Sequence, residues 1–200
     1  MSLTIYNSIW GFVKFILEPY LERRVKKGKE DVHRINERYG ISNKIRPKGT
    51  LIWLHGTSVG ESVAALALAN SMKKNGFGKN NNEFFLLTTN TLSAAKLIKD
   101  KIKKGLPAIH QYHPYDHPEF VSKFLKHWKP SMAVFLESDF WPNLIYLTST
   151  ILLGQDQNVH HGHAQRQQRD RDRHPLHLCQ GAHTQGERNR EDYRGGVCLW

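Results

Sequence analysis

Three short stretches of the chain carry residue types that do chemistry. The first is His55-Gly56-Thr57-Ser58-Val59-Gly60-Glu61-Ser62. Its glycines let a backbone or a substrate approach closely, and Glu61 falls in the first turn of an expected helix. The dipole and free N–H groups there favour a charged carboxylate, able to take a proton from a substrate hydroxyl. Ser58-Val59-Gly60-Glu61 also fits the S-x-x-E capping box, in which Glu61 satisfies a backbone donor. Spacing alone favours the cap. The same loop reads G-x-S-x-G from Gly56 to Gly60, the pattern of a serine-hydrolase elbow with Ser58 as nucleophile. Against that, only an apolar helix and a charged segment precede the first strand, where a hydrolase places several strands.

The second stretch, Leu136-Glu137-Ser138-Asp139-Phe140-Trp141-Pro142-Asn143, follows an apolar strand. Two carboxylates one residue apart can hold and polarise a hydroxylated ligand. Asp139 or Ser138 could instead cap a helix with Pro142 in its early turn. Glu137, directly after the strand, has little structural purpose. In the third stretch, His110, His113, Asp116 and His117 invite a metal reading. Pro114 and Pro118 keep them off one helix and no spacing matches a zinc site, so no metal is expected. Asp116-His117-Pro118-Glu119 reads better as a helix start, with Asp116 as cap.

These loops need a frame. Strands are expected at Leu51–Leu54, Phe84–Leu87 and Met132–Leu136, and helices at Ser62–Lys74, Leu92–Lys104 and His117–Trp128. Such alternation means βαβ units and a parallel sheet, with ligands collecting beyond the carboxyl ends of the strands. The loops after Leu54 and Leu136 are thereby nominated.

Residues 1–29 are a separate unit. Leu3, Ile5, Ile9, Trp10, Phe12, Val13, Phe15, Ile16 and Leu17 form a mostly apolar run broken by Asn7 and Lys14. The run falls short of the roughly 20 apolar residues of a spanning helix. No small-residue cleavage site follows, so no signal peptide is expected. Arg23, Arg24, Lys26, Lys27 and Lys29 come next. An amphipathic helix with a polybasic end suits an anionic membrane surface, and a core-packed helix with a solvated end is the plainer alternative. The formal charge of +11 calls for anionic partners, nucleic acid or acidic lipid, without choosing between them. The chain has no cysteine before Cys179, which fits a reducing compartment.

With these residues laid out, the chain resembles the 3-deoxy-D-manno-octulosonic acid (Kdo) transferases. Six elements carry the likeness in order: Glu37-Arg38-Tyr39-Gly40, His55–Glu61, Thr88–Ala94, Pro114-Tyr115-Asp116, Phe124–Pro130 and Glu137–Leu144. In the last, Asp139 and Phe140 replace the family's Glu and Leu. The resemblance implies transfer of Kdo from CMP-Kdo to a lipid A precursor in lipopolysaccharide synthesis. It implies Glu61 as catalytic base, Glu137 as transition-state stabiliser, and Ser58, Gly60 and Asp139 as acceptor-binding residues. No cofactor and no metal are implied, and no nucleic-acid partner. The implied place is the cytoplasmic face of the inner membrane. The implied fold is α/β, a Rossmann-like parallel sheet forming the N-terminal half of a GT-B glycosyltransferase, behind a membrane-associated helix.

The likeness stops after Leu147. Lysine and Asn dominate the polar positions before the break, and Arg, Gln and His dominate after it. No helical or strand period persists through residues 149–200, which read as a non-homologous, disordered tail of the kind a shifted reading frame produces. The organisation expected is therefore 1–29 membrane-associated, 30–148 an incomplete acceptor-binding domain, and 149–200 the tail. On that reading the donor site is missing and the 200 residues are inactive alone. An Arg-rich tail that folds on RNA is the alternative.

Overall fold

A computed structural model describes residues 3–79, 82–136, 141–152 and 197–199. The chain begins with a 24-residue helix, α1 (Leu3–Lys26), and a 3-10 segment (Val32–Tyr39). Four parallel strands then alternate with helices: β1 (Thr50–His55), α2 (Val59–Lys74), β2 (Glu83–Thr89), α3 (Leu92–Lys103), β3 (Ala108–Tyr112), α4 (Pro118–Trp128) and β4 (Met132–Phe135). Residues 142–152 form a further helix, α5. A three-residue strand, β5 (Val197–Leu199), pairs parallel with β4. The sheet order is β3-β2-β1-β4-β5.

The pleat sorts the core. Leu51 and Trp53 of β1 face one side with Leu86, Phe135, Phe124, Trp128 and Leu144. Ile52 and Leu54 face the other with Phe85, Leu87, Ala65, Ala69 and Ile98. The helices thus cover both faces, α4 and α5 on one and α2 and α3 on the other, as buried parallel strands require. Leu152 is buried too, so packing continues past residue 148.

The α/β expectation and its parallel sheet stand, with two corrections. The β3 strand was not anticipated, because Ala-Ile-His-Gln-Tyr shows neither an apolar run nor alternation. Nor does Asp116 cap α4. His117 does, its Nδ1 accepting from the Glu119 N–H at 3.1 Å. Asp116 serves α5 instead, accepting from the N–H groups of Asn143 at 3.1 Å and Leu144 at 2.8 Å.

The N-terminal helix lies against the domain. Leu17 and Leu21 pack on Phe120, the Tyr6 hydroxyl donates to Asp116 at 2.8 Å, and Trp10 meets His117 edge-on. Its other face is uncovered: Ile5, Ile9, Phe12 and Ile16 are exposed at helical spacing, with Phe12 77% and Phe15 83% accessible. Among the described residues no helix is long and apolar enough to cross a membrane.

Candidate functional site

The strand order reverses at β1, which pairs with β2 on one side and β4 on the other. A sheet wound this way opens a crevice at the carboxyl ends of the two strands flanking the reversal, here β1 and β4. Both nominated loops leave the sheet there.

The β1 loop is built around one close approach. A Cβ on Gly56 would stand 2.9 Å from the backbone of Glu61, so glycine lets the first turn of α2 sit against the strand end. Ser58 is the N-cap, its Oγ accepting from the Glu61 N–H at 3.3 Å, and Glu61 Oε2 accepts from the Ser58 N–H at 2.8 Å. The capping box expected from S-x-x-E is therefore formed. It fixes the rotamer of Glu61 and occupies one carboxylate oxygen. The half-exposed side chain keeps Oε1 for another partner. Among the described residues, packing asks for nothing at Gly60, since a Cβ would meet only Ser58 Oγ at 3.9 Å. Ser58 is less apt as a nucleophile. Its backbone is extended (φ −98, ψ 173), without the strain of an elbow, and no histidine bonds it among the described residues.

Beneath the loop lies a pair of buried imidazoles. The His55 ring stacks on His113 with centroids 4.3 Å apart, and Trp141 packs on His113 at 5.1 Å. Burial, then His55 and Arg38, hold His113 neutral, well below the ordinary imidazole value. His113 Nε2 and Trp141 Nε1 are buried with no hydrogen-bond partner among the described residues. Buried polar groups rarely stay unpaired, so the crevice presents unmet hydrogen-bonding capacity beside Glu61's loop.

Of the second stretch, Glu137 and Asp139 lie outside the described residues. Their flanks are anchored at the same crevice. Leu136 N–H donates to the His55 carbonyl at 2.9 Å. On the far side come the Trp141–His113 contact and Asp116, which holds the start of α5. Burial raises the Asp116 carboxyl above its ordinary value against the lowering effect of the Asn143, Tyr6 and Leu144 bonds. The motifs are thus brought together at one end of the sheet only in part: Ser58, Gly60 and Glu61 share the turn that opens α2, and the flanks of 137–140 lie across from it.

Arg38 was not singled out for a role by its chemistry, yet it braces this end of the sheet. Its Nε and Nη2 donate to buried Glu30 Oε2 at 3.0 and 2.9 Å. Nη1 reaches Asn90 Oδ1 and the His113 carbonyl, and Nη2 the Asn90 carbonyl. One guanidinium so ties the loops after β2 and β3. The signal available was Glu37-Arg38-Tyr39-Gly40, where two charged side chains prove buried and Gly40 adopts φ +75 beneath the Phe120 carbonyl. Among the described residues no three His, Cys, Asp or Glu side chains gather as a metal site.

Comparisons with known proteins identify the family of this domain. Residues 33–150 match the family model described as 3-Deoxy-D-manno-octulosonic-acid transferase (kdotransferase). The chain is 34% identical over 152 residues to the probable 3-deoxy-D-manno-octulosonic acid transferase, mitochondrial, of Arabidopsis thaliana, covering 74% of this chain and 32% of that protein. It is 38% identical over 141 residues to the 3-deoxy-D-manno-octulosonic acid transferase of Rickettsia bellii, covering 68% and 32%. The match to the enzyme of Rickettsia felis is 33% over 166 residues. The chain spans about a third of the length of the curated relatives it matches.

Proposed function

Because the chain belongs to the Kdo transferase family, we propose that its first 148 residues form the acceptor half of an enzyme that moves Kdo from CMP-Kdo to a lipid A precursor. The observation that carries this reading is Glu61, held by its capping box at the sheet's reversal point with Oε1 left for a ligand. Glu61 takes the proton of the acceptor sugar's hydroxyl. The freed oxygen then forms a bond to the anomeric carbon of Kdo as the bond to CMP breaks, with inversion, and CMP leaves with the bonding pair. Glu137 stabilises the transition state, and Ser58, Gly60 and Asp139 contact the acceptor. Neither a metal nor a resident cofactor takes part. The hydroxyl and the anomeric carbon must be held within reaction distance, so a donor-binding half is needed beside this one. That half lies outside the well-packed domain described above, and residues 1–200 alone should not turn over.

The exposed face of α1 and the cations that follow it support docking on an anionic bilayer at the cytoplasmic face of the inner membrane. Docking there brings the β1–β4 crevice to a lipid acceptor, because Tyr6 joins α1 directly to Asp116 at the same end of the sheet.

The test is a chimera of residues 1–148 with the C-terminal half of the Rickettsia bellii relative, supplied with CMP-Kdo and lipid A precursor. Glu61→Gln should lower transfer by roughly 10²–10⁴-fold, the usual worth of a positioned base. Ser58→Ala should keep substantial activity, and the 200-residue chain alone should give no Kdo-modified lipid by mass spectrometry. Full activity in Glu61→Gln would refute the assignment.

A further inference from the structure

A groove of about 700 Å³ runs along the outer edge of β3, between α3 and the 3-10 segment. Its lining shares no residue with the β1–β4 crevice described above. Arg34, Lys44, Lys96, Lys99 and Lys103 line it, against Asp31 as the only acid in the lining. The two walls differ. Arg34 and Lys44 are fixed, both ion-paired to Glu37, at 2.7 and 3.1 Å, with Arg34 lying over the Tyr112 ring at 4.4 Å. Burial lowers the Lys44 ammonium from its usual value despite Glu37, so further negative charge nearby is favourable. Opposite them, Lys96, Lys99 and Lys103 are exposed at i, i+3 and i+7 of α3, and form no ion pair among the described residues. Like charges at that spacing repel and are relieved by a shared anion. Between the walls the floor is aliphatic: Ala95, Ile102 and Ala108. A merely solvated lysine face would have neither that floor nor fixed cations across from it.

Two other occupants fit less well. A peptide strand would need the free edge of β3, but the His110 carbonyl already accepts from Arg34 and Lys44, and the Tyr112 N–H donates to Glu37. Nucleic-acid bases need open aromatic faces to stack on. Tyr112 is the only aromatic ring of the lining besides His110, and Arg34 covers it while His110 is buried.

We propose that the β3-edge groove binds a lipid phosphomonoester, its phosphate between the α3 lysines and the Arg34–Lys44 wall and the first part of its chains on the aliphatic floor. The site is independent of sugar transfer and would stand if the reading above failed.

Titration calorimetry of the full chain with dihexanoyl phosphatidate below its micelle concentration tests it. Saturable binding is expected, tighter than for inorganic phosphate, which lacks the chains, and for dihexanoyl phosphatidylcholine, which lacks the net charge. Lys96→Gln/Lys99→Gln/Lys103→Gln should weaken it by about tenfold, the combined worth of three exposed ion pairs. The corresponding triple Arg variant should retain it, and Lys26→Gln/Lys27→Gln/Lys29→Gln on the N-terminal segment should leave it unchanged. The single Lys99→Glu variant should move affinity in the same direction as the triple Gln variant. Unchanged affinity in the triple Gln variant would overturn the proposal. So would inorganic phosphate binding as tightly as phosphatidate, or a uridine oligonucleotide displacing phosphatidate with higher affinity.

Discussion

Replacing Arg38 with alanine should cost the domain roughly 5 kcal/mol of stability, and the structure says where it goes. Arg38 and Glu30 are buried, their side chains 4% and 2% accessible. Removing one partner of such a pair costs about 3–5 kcal/mol because the other charge is left buried. Glu30 Oε1 would keep its bond to Arg24 at 2.8 Å, which draws the figure to the low end of that range. The Asn90 and His113 carbonyls would each lose a charged donor, adding about 1 kcal/mol apiece. Arg38→Lys keeps the charge but cannot present a planar fork to Glu30, Asn90 and His113 together, so an intermediate loss of about 2 kcal/mol is expected. Urea unfolding followed by the fluorescence of buried Trp53 and Trp128 measures both. The Arg38→Ala/Glu30→Gln double variant completes the cycle and should recover part of the loss. A loss below about 1 kcal/mol for Arg38→Ala would show that the guanidinium does not brace this end of the sheet.

Acid should destabilise the domain through its buried imidazoles. Burial holds His110 and His113 well below the ordinary value of 6.5, so as pH falls through 6.5 the unfolded chain takes up protons that the folded one does not. Their contribution is present above 6.5 and is lost below it, by about 1 kcal/mol each on going from pH 6.5 to 5.5; unfolding midpoints over that range should fall, and His113→Gln should make the slope shallower. Gly40→Ala should cost more than about 2 kcal/mol, since φ is +75 and a Cβ would stand 2.0 Å from the Phe120 carbonyl oxygen. Gly60→Ala, in open space, should leave the urea midpoint unchanged while lowering transfer by the chimera; a matching stability loss would instead make Gly60 a packing residue. Deleting residues 1–29 should abolish co-sedimentation with anionic vesicles, and binding of the intact chain should weaken with salt; equal binding by both forms would remove the docking role of α1.

Much of the frame was legible because it is local. Apolar runs such as Leu51–Leu54, helix-period stretches and a capping box within four residues report their own structure, and Ser58 and Glu61 pair as their spacing requires. The family likeness also lies in short elements read one at a time. What failed to show depends on partners far along the chain. The strand β3 places polar side chains in the interior, and they are tolerable only because His110 meets Thr89 at 2.9 Å and Gln111 accepts from Trp128 at 2.7 Å. Asp116 stands one residue before the cap of α4, where spacing assigned it to that helix, yet folding brings α5 and Tyr6 to its carboxylate from positions 27 and 110 residues away. Arg38 likewise finds Asn90 and His113 only when β2 and β3 end side by side. A buried charge or amide is stabilised by whichever donors and acceptors the topology delivers, and that choice is made by the closed sheet, since no local period encodes it.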